Sequence, residues 1–459
     1  MTINPADSDV LGAWFCTPAM RDAFSDRARF QAMLDVEAAL ARAQASLGLI
    51  PPEAARRITE AASVEAVDMG AVAAGTASGG YPVMPLVREL ARAAGDEAGG
   101  YVHWGTTTQD IMDTALVLQM RTGLALLEAD LEALVAALAG LADAHRGTVM
   151  AGRTHLQHAL PVTFGLKAAG WLAPLLRTRD RLRAAARRAL VVQFAGAAGT
   201  LASLAPHGIA VAEALGRELD LPVPEIGWHA ARDGLAEIAG VLGILAGTCG
   251  KIAGDVALLM QTEIAEAFEP EAPGRGGSSA MPQKRNPVAG EYVIAGTRNI
   301  HQLVAVMLGS LVADHERATG PGHAEWLAMP QIFALSSGVL RNTLDIAGGL
   351  EIDPARMRAN LDATQGLILA ERVMMALAPA IGRQEAHDRV EAICRAVCRG
   401  EGTFAELLRR DAICAARLSA DEVDRLLDPA GYTGEAERFI DRVLARAGRM
   451  HRGIEGGEE

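Results

Sequence analysis

The sequence predicts an all-α protein, and three observations carry that expectation. The chain has 459 residues and half of them are apolar, enough for more than one core. Aromatic residues make up only 4%, so Ala, Leu, Val and Ile must fill those cores, and Ala and Leu favour helix. Strand signals are nearly absent, whereas the apolar spacing i, i+3, i+4, i+7 is held over long stretches.

Three helical domains are expected. Residues 1–105 read as an N-terminal helical domain. Residues 106–350 read as a central domain of long helices packed near-parallel in a bundle, with apolar stripes over 111–145, 162–194, 235–260 and 292–311. The third stripe includes Leu235, Ile238, Leu242, Leu245, Cys249, Ile252, Val256 and Leu259. Gly240, Gly243, Gly247, Gly250 and Gly254 recur along it. Each glycine costs about 1 kcal/mol relative to Ala in a helix, so close approach of another helix is the expected compensation. Residues 351–459 read as a shorter helical domain, opened by Asp353 as N-cap and Pro354 as first helical residue.

The formal charge of -13 disfavours nucleic acid and anionic membranes as partners. A small anionic substrate is compatible with it, because a local cationic pocket can sit in an acidic protein. The most apolar windows, 189–206 and 235–260, carry Gln193, Glu237, Lys251 and Asp255, and read as buried helices rather than membrane spans. The first residues lack the basic and apolar regions of a secretory signal. Cysteines 16, 249, 394, 398 and 414 are odd in number and scattered, which suits a reducing cytoplasm, with Cys394 and Cys398 expected as core thiols.

Polar islands interrupt this scaffold. The first is GRGGSSAMPQKRNP, residues 274–287, ending in Asn286-Pro287 as expected N-cap and first residue of the next helix. Lys284 and Asn286 then lie at the positive end of a helix, where anions are stabilised. A serine beside such charge can give up its proton more readily than in water, which proton abstraction from carbon requires. The second island is GTTTQDIMDTA, residues 105–115, where hydroxyls and free N–H groups at a helix start form an anion cradle or a plain cap. The third is GRTHLQHALP, residues 152–161, with His155 and His158 three apart and expected on one helix face. A metal would need a further ligand in register, and none is evident, so no metal is expected. A fourth cluster, 313–326, holds His315, Glu316, Arg317, His323 and Glu325 and reads as a solvated turn.

Together these segments resemble the fumarase/aspartase superfamily, whose signature GSSxMPxKxNP stands here at Gly277–Pro287. The chain is similar nearly end to end to the bacterial cycloisomerases of that superfamily, through TPAMRDAFSDRARFQAMLDVEAALARA, YVHWGTTTQD, HAEW and LDATQGLILAE. The resemblance implies a homotetramer on a bundle of long central helices, with active sites shared between subunits. It implies a small di- or tricarboxylate substrate and no cofactor. It implies Ser278 as general base, with Lys284 and Asn286 holding the aci-carboxylate intermediate. Thr107, Thr108 and Gln109 match the substrate-binding segment, with Thr108 in place of serine. Gln157, His158, Ser279 and Met281 join the binding set. His155 stands where the lyases carry a general-acid histidine and the cycloisomerases a tryptophan. A carboxylate leaving group, of parent pKa about 4, departs without an acid, whereas an amine or alkoxide needs one. His155 therefore points towards a lyase that releases fumarate from a substituted succinate, and the end-to-end likeness towards a cycloisomerase.

Overall fold

The computed structural model describes residues 4–277 and 280–454. Helix accounts for 68% of the structure and strand for 4%, so the all-α expectation is met. The chain packs as two compact units: Met1–Leu131 with Thr178–Gly250 and Tyr292–Asn342, and Glu132–Arg177 with Lys251–Glu291 and Thr343–Glu459.

In the first unit, the Asp26–Ser46 helix starts at Ser25, whose hydroxyl accepts the Ala28 N–H at 3.2 Å. The Pro52–Ala61 and Gly208–Leu219 helices pack on it around Leu34, Leu40, Ile58 and Leu215. The expected stripes become the Thr108–Ala144, Asp233–Leu259 and Val288–Gly309 helices. The stripe of the Asp233–Leu259 helix is buried from Leu235 to Leu259. A Cβ on Gly243 would lie 3.0 Å from Val304, and one on Gly250 3.1 Å from Thr297, so these glycines do admit a neighbouring helix. Gly240 and Gly254 have nothing within 4 Å, and close packing does not explain them.

The second unit departs from the expectation at the third island. Residues 152–161 are not helical. Val149–Thr154 (β1) and Gln157–Thr163 (β2) pair antiparallel, with Thr154 opposite Gln157. His155 and Leu156 form the two-residue turn at φ 50° and 63°, the positive values such hairpins demand. His155 and His158 therefore share a hairpin rather than a helix face. The 162–194 stripe is likewise shorter than expected, with the Phe164–Ala189 helix following β2 directly. A second small sheet pairs Ala267–Phe268 (β3) with Glu351–Ile352 (β4) at the base of the serine-bearing loop.

The 189–206 window also departs from the buried-helix expectation. After Ala189 the chain leaves the helix and has no regular secondary structure through Gly196, with residues 192–196 buried. Side chains of the Thr108–Ala144 helix replace the missing helical hydrogen bonds. The Thr114 hydroxyl accepts from the Gln193 N–H and donates to the Gln193 carbonyl, and Asp110 accepts from the N–H groups of Ala195 and Gly196. Asp353 does cap the Pro354–Asp362 helix, accepting the Arg356 N–H at 2.9 Å. Cys394 is half-buried and Cys398 exposed, so the latter is not a core thiol.

Candidate active site

In the first unit the start of the second island is tied to Asp110. This carboxylate is buried and accepts from the Thr107 N–H at 3.1 Å and the Thr106 hydroxyl at 3.2 Å, besides Ala195 and Gly196. His229 Nε2 closes the set at 2.8 Å. Of the island's own N–H groups, that of Thr107 is thus satisfied by the protein's own acid. Thr108 and Gln109 sit one step further on. Gln109 Nε2 donates to Asp113 at 3.0 Å and to the His229 carbonyl at 2.9 Å, which fixes its amide.

Behind Gln109 lies a buried triad that the sequence reading missed. Arg232, 5% exposed, donates to both oxygens of Asp113 at 2.7 and 2.9 Å and to Glu325 at 2.6 Å. Burial pulls the Arg232 pKa down, but the two carboxylates more than offset this and raise it, so the guanidinium stays charged. Burial raises Glu325 above the usual carboxylate range, against the pull of Arg232. The negative charge of Asp113 adds a smaller push in the same direction as burial. Arg232 also lies 4.8 Å over the Trp228 ring. The one sequence signal for this triad is GWHAARD, a cluster of polar groups opening the most apolar helix. The fourth island is only in part a solvated turn, since Glu325 is buried and belongs to the Pro321–Gly348 helix.

Thr108, Gln109, Asp113, His229 and Arg232 form the floor of a cavity of about 400 Å³ within this unit. Arg88, Arg317 and an aromatic group of Tyr81, His323 and Trp326 also line it. Arg317 donates to the Ala197 carbonyl at 3.0 Å. Arg88 makes no ion pair among the described residues. Neither cation is neutralised by a carboxylate, so the cavity suits a ligand with several carboxylates. His103 is tied to buried Glu37 at 2.6 Å.

The first and third islands belong to the second unit. Ser278 and Ser279 lie outside the described residues. The loop around them is anchored at both ends. The Asn286 N–H donates to the Gly276 carbonyl at 2.9 Å, and Gly276 is at φ 70°, where a Cβ would lie 2.9 Å from the Asn286 oxygen. Arg285 donates to Glu351 on β4 at 3.0 Å and to the Glu269 carbonyl at 2.8 Å. Lys284, Asn286 and Glu269 line a cavity of about 520 Å³. Met281 is exposed.

The helix after this loop begins at Val288, one residue later than expected, with the Pro287 carbonyl accepting from Glu291 at 2.9 Å. Its positive end is already occupied. Glu269, 4% exposed, accepts from the N–H groups of Ala289 at 3.0 Å and Gly290 at 2.7 Å. Burial raises the Glu269 pKa above the ordinary range, while these two bonds hold it down. Lys284 and Asn286 thus line a cavity beside a helix end that a resident carboxylate fills.

The hairpin leads from a second buried acid. Glu266 is fully buried and takes a two-pronged bond from Arg153 of β1 at 2.8 and 2.6 Å, with Asn360 at 2.8 Å. His155 and Gln157 are exposed at the hairpin tip and Leu156 is 72% exposed. His158 is half-buried, its Nδ1 without a partner among the described residues. Burial, then the neighbouring Arg153, lower its pKa, so it is neutral near pH 7. Within this unit the hairpin residues do not line the cavity that holds Lys284 and Asn286.

A family described as lyase matches residues 15–301, and one described as adenylosuccinate lyase C-terminus matches residues 366–443. A 3-carboxy-cis,cis-muconate cycloisomerase of Bradyrhizobium diazoefficiens is 48% identical over 96% of this chain and 99% of its own. That of Pseudomonas aeruginosa is 49% identical over 97% of each. The crystal structure of the 3-carboxy-cis,cis-muconate lactonizing enzyme from Pseudomonas putida is 47% identical, covers 96% of this chain and 99% of its own, and superposes with a TM-score of 0.91. The chain belongs to the lyase family, the fumarase/aspartase superfamily that its serine-loop signature resembles.

Proposed function

We propose that this enzyme is a 3-carboxy-cis,cis-muconate cycloisomerase, acting in the breakdown of aromatic acids. The observation that carries the reading is identity of 48% and 49%, over nearly the whole chain, with relatives of that name. A cavity lined by two uncompensated cations supports it, because the substrate carries three carboxylates.

In the lactonising direction one carboxylate of the substrate adds across a double bond of the same molecule, and the neighbouring carbon takes a proton. In reverse, Ser278 removes that proton. The electron pair moves into the adjacent carboxylate, and the resulting aci-carboxylate expels the tethered carboxylate. Such a dianion forms readily only where donors and cations already surround it. Lys284 and Asn286 have that role. Thr107, Thr108, Gln109, Gln157, His158, Ser279 and Met281 orient the rest of the substrate. Proton and electron pair return to the same carbon framework, so the chemistry calls for no cofactor. The same proposal includes a cytoplasmic homotetramer with shared active sites, and domains divided near residues 105 and 350.

One observation favours a second reading, an intermolecular lyase that releases fumarate from a substituted succinate. His155 stands exposed on the hairpin turn and makes no hydrogen bond among the described residues, as a proton donor to an amine would. Product analysis by NMR separates the two. A lactone from 3-carboxy-cis,cis-muconate supports the cycloisomerase. Fumarate from aspartate-, nitrosuccinate- or adenylosuccinate-like substrates, with no lactone, replaces it.

A further inference from the structure

Aromatic residues are scarce in this chain, with four Tyr and five Trp in 459 residues. One of each lines the cavity of the first unit, together with His323. The three rings pack on one another. Trp326 and His323 have centroids 4.4 Å apart, Tyr81 stands edge-on to Trp326 at 5.9 Å, and Tyr81 lies 5.5 Å from His323. Tyr81 is nonetheless 45% exposed, so the cluster presents ring surface to the cavity rather than burying it. The cations Arg88 and Arg317 line the same cavity. Two of the glycines that line it, Gly79 and Gly322, have nothing within 4 Å of where a Cβ would stand.

A rigid cluster of rings beside unneutralised cations discriminates by shape as well as charge. A flat, conjugated carboxylate can lay its π-face or edge on Tyr81 and Trp326 while its carboxylates meet the arginines. A saturated, tetrahedral carboxylate of the same charge meets the arginines but leaves the rings poorly covered. We infer that Tyr81 and Trp326 are specificity-determining residues that select planar, conjugated polycarboxylates over saturated succinates of equal charge. The inference rests on the reading of this cavity as part of the substrate's site. It adds that the preference resides in the aromatic wall and not in the serine-bearing loop.

The test is binding rather than turnover, by titration calorimetry on the full chain. The planar probe is benzene-1,2,4-tricarboxylate and the saturated one propane-1,2,3-tricarboxylate, each with three carboxylates. The parent protein is expected to bind the planar acid about tenfold more tightly, a difference of about 1.4 kcal/mol. Trp326→Leu and Tyr81→Leu are each expected to reduce the ratio to about threefold or less, chiefly by weakening the planar acid. Trp326→Phe, which keeps a flat ring, is expected to restore most of it. Should Trp326→Leu fail to fold, Tyr81→Leu at its half-exposed position decides alone. Equal affinities in the parent, or an unchanged ratio in the leucine variants, overturn the inference. Failure of the proposed function reads differently: no lactone forms, yet the planar preference and its dependence on Trp326 persist.

Discussion

At the scale of single residues, the functional islands are held by buried acids the sequence reading passed over. Asp110 accepts from Thr106 and Thr107 of the second island, Glu266 from Arg153 of the hairpin, and Glu269 from Ala289 and Gly290 just after the serine-bearing loop. Glu269 gives a pH prediction with a definite sign. Its folded pKa is raised, so the folded state binds more protons than the unfolded one as pH rises above the ordinary glutamate value of about 4.3. Stability from this group is full below that value and is lost as pH rises through the folded pKa. The Tm of the parent should therefore fall relative to that of Glu269→Gln with rising pH in that window and then level off, and a relative rise would contradict the assignment. Arg232 gives a second. Arg232→Met strands two buried carboxylates, and loss of one partner from a buried pair costs about 3–5 kcal/mol. Chemical denaturation should show a loss of that order, and a loss below about 1 kcal/mol would mean the triad is solvated, in conflict with its burial.

At the scale of elements, the long helices were legible because their apolar stripes persist over many turns, which no other element mimics. The hairpin was not. VMAGRTHLQHALPVT alternates weakly, and its turn uses His155-Leu156 where Asn-Gly would announce it. Only pairing with a distant partner, Glu266 with Arg153, fixes its place. Left-handed backbone costs a non-glycine residue about 1–2 kcal/mol, so Leu156→Gly should raise the midpoint of urea unfolding, and a fall would count against strain at the turn. The irregular run after Ala189 was hidden for a similar reason, since Asp110 and Thr114 supply its backbone partners from another helix. The glycines of the Asp233–Leu259 helix give a paired test. Gly250→Val should cost about 1–3 kcal/mol by crowding Thr297, whereas Gly240→Ala, facing open space, should gain up to about 1 kcal/mol. Equal effects at both positions would refute the close-approach explanation.

At the scale of the whole molecule, the fold class and the family were readable, because the signature loop and the long stripes are local patterns. The cavity was not, because Arg88, Gln109, Arg232, Arg317 and Trp326 are far apart in sequence and meet only once the helices pack. The sequence also pointed to helix ends as anion sites, and at the Val288–Gly309 helix the structure fills that end with the protein's own Glu269. The cations that line the two cavities include Lys284 in one unit and Arg88 and Arg317 in the other. The central claim is that Ser278 abstracts a proton from carbon beside a carboxylate during reversible lactone closure. Its most direct test is the ultraviolet absorbance of 3-carboxy-cis,cis-muconate mixed with the purified enzyme and with Ser278→Ala. The parent should bleach the conjugated absorbance, and the variant should do so slower by a factor of about 100 or more, in line with loss of a general base. No bleaching by the parent, or an undiminished rate in Ser278→Ala, would contradict the account.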